Sequence, residues 1–302
     1  MKRVLYALVP VVIASVYFFG WRSLVTLVVV SVAGFLTEYA FTRTYKEPVT
    51  SAVFVTSFLF TLSLPPTLPL WMALVGIVFG VTFGKMVFGG FGRNIFNPAL
   101  VGRAFIYVSF PVHMNSIWTE PVRGMVGGFA RFAPDAVTQA TPLRLLKEGV
   151  EVAWSKLLFG NTAGCLGETS AVLVTLGGLY IVWKKAANYR IVVSGLIGML
   201  LIQSIFWKSG VQGATDPVSA LLSGSFLFGL FFFATEPISA SQLNEGRWIY
   251  GALIGVLTVI IRTFSGWAEG MMFAILLANI FAPIMDYGLR TLRSKRKTAE
   301  AQ

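Results

Sequence analysis

Stretches of about twenty apolar residues, the length a helix needs to cross the hydrocarbon of a bilayer, recur from one end of this chain to the other. Only 12% of the 302 residues are charged, and mean hydropathy is +0.74. A soluble domain carries about 25% charged residues, so a soluble globule is excluded. The apolar stretches predict spans at Val4 to Phe19, Ser23 to Tyr39, Val49 to Leu64, Leu68 to Phe88 and Ile95 to Phe110. A second group covers Thr169 to Trp183, Ile191 to Trp207, Val218 to Ala234, Trp248 to Phe264 and Ala268 to Tyr287. The expected fold is an all-α polytopic membrane protein of about ten transmembrane helices with one long loop, residues 111–168, between the fifth and sixth.

The formal net charge of +11 is distributed between the apolar segments and not along one polar face, which is the pattern of topology selection and not of nucleic-acid binding. With both termini in the cytoplasm, fifteen basic residues, from Lys2 and Arg3 through Lys85 to Lys297, fall inside. The short outer loops then hold Arg22, Lys208 and Arg262, and the 111–168 segment is extracytoplasmic. Met1-Lys2-Arg3 before an apolar run resembles a signal peptide, but no small-residue cleavage site precedes the next span, so a retained first helix is expected. Cys165 and His113 are the only residues of their kinds, which leaves no ligand set for cysteine-held zinc or an iron–sulfur cluster within the chain. Redox chemistry here requires an organic cofactor.

Two segment pairs suggest an internal duplication. Glu47-Pro48-Val49 with Ser57-Phe58-Leu59-Phe60 resembles Asp216-Pro217-Val218 with Ser225-Phe226-Leu227-Phe228, and Asn94-Ile95-Phe96-Asn97-Pro98 resembles Asn279-Ile280-Phe281-Ala282-Pro283. The pairs fall on spans three and eight, then five and ten, which predicts two inverted five-helix repeats, residues 1–110 and 169–290, followed by a basic cytoplasmic tail, 291–302. The third helix of each repeat is interrupted, at Leu64-Pro65-Pro66 and at Ala234-Thr235-Glu236-Pro237. Such breaks either simply end a helix or expose half-helix termini along a central pathway. Glu236 lies in the second break and Glu168 near the outer end of the sixth span; each is a candidate for an ion pathway, with helix capping the other reading of Glu168.

Two loop motifs carry candidate chemistry. The stretch from Phe88 to Phe105, FGGFGRNIFNPALVGRAF, is glycine-rich, which suits either close backbone approach to a ligand or close helix packing. In the outer loop, Thr141-Pro142 precedes an apolar-periodic run with Leu143, Leu145 and Leu146, which predicts a helix with Thr141 as N-cap and Pro142 at its first position. The free N–H groups there, with Arg144 and Lys147 on the same turn, favour a phosphate; a plain cap is the alternative.

These motifs, with PDAVTQATPL, GNTAGCLGETS and ATEPISAS in the same order, make the chain similar to a family that holds the D subunit of the Rnf complex and the B subunit of the sodium-pumping NADH:quinone reductase. The resemblance covers nearly the whole chain. It implies that Thr141 carries FMN through a phosphodiester bond, placed there by a separate transferase that uses FAD, with Asp135, Thr138, Gln139, Ala140 and Arg144 around it. Gln139 departs from the family's usual glycine, and Gly213-Ala214-Thr215 offers a second Gly-Ala-Thr that lacks the preceding hydroxyl residue. The resemblance also admits a second, non-covalent flavin (riboflavin or FMN) between the spans.

The expected function is then a membrane subunit of an ion-translocating oxidoreductase of the inner membrane, Rnf-type, relaying electrons through FMN between ferredoxin and NAD and driving sodium or protons across. Its expected partners are another covalent-flavin subunit, iron–sulfur subunits and membrane lipid. The chain starts at once with its first span, where the quinone-reductase homologue usually has an extension, so length favours Rnf over the B subunit of the quinone reductase. The alternative from a different class is a urea-transporter-like solute channel, which carries no flavin.

Overall fold

The computed structural model describes residues 1–300 except 123, 135–139, 169 and 268, and not the side chains of 45, 297, 299 and 300. Every regular element among the described residues is helical. Five helices are long and apolar enough to cross a membrane: α1 (Lys2–Phe19), α2 (Arg22–Tyr45), α10 (Tyr189–Lys208), α13 (Asn244–Phe264) and α14 (Met271–Glu300). The first half is completed by α3 (Ala52–Leu62), α4 (Leu70–Val81), which continues as a π-helical turn over Thr82–Met86, and α5 (Pro98–Ser109). The loop folds into α6 (Pro111–Asn115), α7 (Pro142–Lys147) and α8 (Trp154–Phe159), and α9 (Ala171–Trp183) opens the second half. The eighth segment comes in pieces: α11 (Pro217–Leu222), α12 (Phe226–Phe228) and a π-helical turn over Gly229–Phe233. The tail expected at 291–302 is, as far as Glu300, the continuation of α14.

The ten predicted positions are therefore all helical, but they differ in reach. With 11 to 13 residues, α3, α5 and α9 rise only about 16–20 Å at 1.5 Å per residue, well short of a hydrocarbon core of about 30 Å. Short helices end at depth, where an unpaired carbonyl is costly. The structure pairs them: the carbonyls of Leu62 and Leu64, at the end of α3, accept from Gly167 N–H at 2.7 Å and Leu166 N–H at 3.0 Å. The break at Leu64-Pro65-Pro66 is thus a helix end closed by the segment that leads into α9. At the start of α5, the Asn97 carboxamide oxygen accepts from the N–H groups of Ala99 and Leu100, with Pro98 at the first turn.

Both halves pack by the same plan. In the first, α2 lies on α4 and α4 on α5; in the second, α10 lies on α13 and α13 on α14, while α1 meets α9 across the middle. The asparagine motifs that suggest a duplication also meet, since Asn97 N–H donates to Asn279 Oδ1 at 3.3 Å. Asn279 in turn donates to Tyr250 Oη at 2.7 Å.

The glycine-rich Phe88–Phe105 stretch divides into two roles. Gly89, Gly90 and Gly92 have φ between 89° and 99°, a turn that L side chains resist. Gly102 instead lets α5 rest on α4, because a Cβ there would sit 2.4 Å from the Gly76 carbonyl oxygen. Gly102→Val is expected to lower stability by about 1–3 kcal/mol through overpacking, measured as a fall in the thermal midpoint of the detergent-solubilised protein.

Two of the charges counted for topology, both near the ends of predicted spans, are not surface signals. Lys85 is 2% exposed and Arg262 is 4% exposed, each engaged inside the bundle.

Candidate functional site

Two cavities that hold ionisable side chains lie at opposite ends of the bundle. At the end that carries the 111–168 loop, the walls come from Arg103 and Tyr107 on α5, Thr141 at the head of α7, Glu168 before α9, the Ser223-Gly224 break and Glu269 before α14. Of the predicted site residues, Thr141, Arg144 and Glu168 meet here; Ala140 lines a neighbouring pocket. Asp135, Thr138 and Gln139 lie outside the described residues.

Thr141 is the N-cap of α7, with extended backbone dihedrals and Pro142 behind it. Among the described residues its Oγ1 accepts one long bond, from Arg144 N–H at 3.4 Å, and the hydroxyl is half-buried. The helix it caps is only six residues long, and the two basic side chains of that turn are engaged elsewhere. Arg144 pairs with Glu148 at 3.1 Å on the surface, and Lys147 Nζ donates to the Trp267 carbonyl at 3.4 Å. Burial, and after it the nearby Arg262 charge, hold the Lys147 ammonium below its ordinary range. The competing threonine, Thr215, is 9% exposed and receives the Gln203 amide on both its carbonyl, at 2.8 Å, and its hydroxyl, at 3.5 Å. It precedes Asp216, the N-cap of α11, as an Asp-Pro helix start requires.

Below Thr141, four charges converge on the broken eighth segment. Arg262 donates to the carbonyls of Ala220 and Ser223 at 2.9 and 3.3 Å. Glu269 accepts from the Ser225 N–H at 2.8 Å and from the Ser225 hydroxyl. Between them Gly224 adopts φ 68°, with Glu269, Arg262 and Leu143 packed where a side chain would stand. Arg103 joins this cluster to the first half through single 3.4 Å contacts with Glu269 Oε2 and Cys165 Sγ. Glu168 is not the cap of α9; Ser170 is. Glu168 Oε1 instead accepts from Cys165 N–H at 2.8 Å.

A buried polar atom without a partner is costly and asks what satisfies it. Arg103 Nε, Tyr107 Oη, Glu168 Oε2, Ser223 Oγ and Arg262 Nε are buried without a hydrogen-bond partner among the described residues, and all belong to this one cluster. The cavity volume of about 40 Å³ has room for a water or an ion but not for a flavin ring. The donors suit an anionic or hydroxylated group joined at Thr141, and Glu168 Oε2 suits a cation or a donor.

At the opposite end the cavity is lined by Met1, Lys85, Asn94, Asn97, Phe232 and Glu236, among others. Glu236 Oε1 accepts from Asn94 Nδ2 at 3.4 Å, and Oε2 from Ser239 Oγ at 2.9 Å. Lys85 donates to Glu38 at 2.7 Å and to Thr50 Oγ1 at 2.8 Å, while Thr50 donates from N and Oγ1 to Glu38 at 2.9 and 2.6 Å. The eighth segment connects the two cavities, and Phe226 to Phe233 on the way are all buried, 8% exposed or less apart from Gly229, which is also buried. The arrangement is a cavity with ionisable side chains at each end and a buried aromatic stretch between.

The predicted set thus contains Thr141, Glu168 and Glu236 but not Arg103, Arg262, Glu269, Lys85 and Glu38. Charges inside apolar spans are a usable signal for such residues, since Arg103 and Glu38 each stand within a predicted span.

A model of the NQR2, RnfD, RnfE family matches residues 1–294. The B subunit of the Na(+)-translocating NADH-quinone reductase of Klebsiella pneumoniae is 38% identical over 307 residues, covering 92% of this chain and 71% of that protein. The protein of the same name from Neisseria meningitidis serogroup B is 41% identical over 281 residues, covering 90% and 68%. That from Pseudomonas aeruginosa is 39% identical over 278 residues, covering 89% and 67%. A match of this extent settles membership: the chain belongs to the NQR2, RnfD, RnfE family.

Proposed function

We propose that this protein is the flavin-bearing membrane subunit of a sodium-translocating NADH:quinone reductase, with FMN joined to Thr141 by a phosphodiester and an ion pathway through the two end cavities. The observation that carries the reading is the position of Thr141. An accessible hydroxyl with one weak bond stands at the rim of a cavity whose walls hold buried, unpartnered donors. Attachment needs no catalytic group in this chain. In a transfer from FAD, the threonine oxygen bonds to the FMN phosphorus, its proton departs, and AMP leaves. Bound FMN supplies one- and two-electron chemistry; this chain supplies the anchor, the donors and the end cavities.

Relatives of 38–41% identity, all named as the B subunit of the sodium-translocating quinone reductase, support that complex over the Rnf type expected from length. They also support sodium as the ion. The basic residues near both termini support a cytoplasmic position for those termini and an outer one for Thr141, the side on which a transferase for this family works. Electron transfer is collective, with partner subunits feeding and draining the flavin. Glu236 and Glu168 are the cavity carboxylates placed to meet a cation at each end.

The test is a denaturing gel of the protein purified from its native host and viewed for flavin fluorescence. The wild-type and Thr215→Ala bands fluoresce and the Thr141→Ala band does not. A dark wild-type band points to the flavin-free solute channel. Fluorescence that survives in Thr141→Ala moves the attachment elsewhere. In the purified complex, sodium-stimulated quinone reduction by NADH is expected; electron flow between ferredoxin and NAD instead would assign the Rnf type.

A further inference from the structure

Resting on the assignment of flavin to Thr141, we propose that Arg103 is the positioning residue that links the charge on that flavin to the break in the eighth membrane segment. Four observations lead to it. Arg103 is 3% exposed and lines the same small cavity as Thr141. Its Nε has no partner among the described residues, so one N–H is free to meet an anion at the rim. Its tie to Glu269 is a single contact of 3.4 Å, long for a charge-assisted bond and not the bidentate fork that guanidinium and carboxylate prefer. Glu269, by contrast, is held firmly by Ser225, through both its N–H and its hydroxyl.

The consequence follows from which tie is weakest. A flavin joined at Thr141 that gained electrons faster than protons would bring negative charge to the rim, and a buried guanidinium lining the same cavity would respond to it strongly. Arg103 is the group in the cluster with both a spare donor and a weak existing bond, so it turns toward the flavin. Glu269 then keeps Ser225 but loses its counter-charge from the first half of the molecule. Arg262 remains fixed to the Ala220 and Ser223 carbonyls. The net result is a carboxylate at the break with one counter-charge fewer, Arg262 alone remaining beside it, next to Glu168 Oε2, which has no partner among the described residues. Two carboxylates so exposed to one cavity favour a cation there. Reduction at the rim and cation affinity at the break are thereby linked through one side chain, and linkage is reciprocal. Holding Arg103 away from the flavin lowers the flavin's potential; freeing it from Glu269 raises it.

The test is a dithionite titration of the detergent-purified complex, followed by flavin absorbance. The couple missing from Thr141→Ala identifies this flavin, and the gel shows beforehand that each variant is labelled. Arg103→Gln is expected to cut the preference for the reduced form about tenfold, which is about 59 mV downward for a one-electron couple. Arg103→Lys retains the charge and is expected to shift it by less than half as much. Glu269→Gln removes the competitor and is expected to shift the couple upward. Opposite signs for the two neutral variants are not produced by general loosening of the fold. A labelled Arg103→Gln protein with an unshifted couple overturns the proposal, as do two shifts of the same sign. Should Arg103→Gln fail to accumulate, Glu269→Gln decides: an upward shift supports the link, and an unchanged or lowered couple overturns it. A native protein without flavin on Thr141 is recognised on the gel before any titration and removes the underlying assignment instead.

Discussion

Lys85→Met protein is expected to lose about 3–5 kcal/mol of stability and to accumulate poorly in the membrane, whereas Lys85→Met combined with Glu38→Leu recovers most of the loss. The two side chains are 2% and 1% exposed and stand 2.7 Å apart, with the Thr50 hydroxyl bonded to both. Removing one partner leaves a buried charge uncompensated, which is the costly change; replacing both by apolar groups of similar volume is often neutral. A loss of about 3–5 kcal/mol is a large share of the roughly 5–15 kcal/mol that separates folded from unfolded states in single domains. The π-helical turn over Thr82–Met86 places Lys85, and such turns cluster at functional sites. The double variant therefore separates two roles: a protein that folds but no longer pumps assigns Lys85 to the pathway. Thermal midpoints in detergent, read by size-exclusion fluorescence, measure the cycle. Single and double variants that are equally unstable would refute the pairing argument.

Arg262→Met is the second large effect, with an expected cost of about 3 kcal/mol or more. Arg262 donates to two carbonyls that the break strips of helical partners, those of Ala220 and Ser223. Hydrogen bonds to charged groups contribute about 1.5–3 kcal/mol each, and a buried acceptor left bare costs about 1–3 kcal/mol. Methionine fills the volume and offers no donor. Arg262→Lys keeps the charge but has no planar fork to reach both oxygens, so it is expected to fall between. The damage is local in origin, so limited proteolysis should cut first near residues 223–225. A melting temperature that Arg262→Met leaves unchanged would show that the break is satisfied in some other way.

The helix positions are legible because a membrane demands runs of apolar residues, and all ten predicted segments coincide with helices or, for the eighth, with helical pieces. What the runs conceal is where helices stop. Apolar composition continues past the end of α3 through Leu64, and the backbone there is paired by Leu166 and Gly167, about a hundred residues away in sequence. Hydropathy has no means to register such pairing. The cap at Thr141 is legible from Thr-Pro-Leu spacing alone, whereas the physical reason to reject Thr215 comes only from the Gln203 bonds. The buried charges are the least visible part. Arg103 and Glu269 are 166 residues apart, and Arg262 and Lys85, near the ends of predicted spans, read as topology charges until their partners are known. Of the two segment pairs matched as a repeat, the asparagine motifs are in contact, through Asn97 and Asn279.

Mass spectrometry of the proteolytic peptide that contains Thr141, taken from protein made in the native host with its flavin transferase present, tests the central claim most directly. The account predicts that this peptide carries one FMN and that fragmentation places it on Thr141, with the Thr215 peptide unmodified. A fully recovered Thr141 peptide without FMN would contradict it.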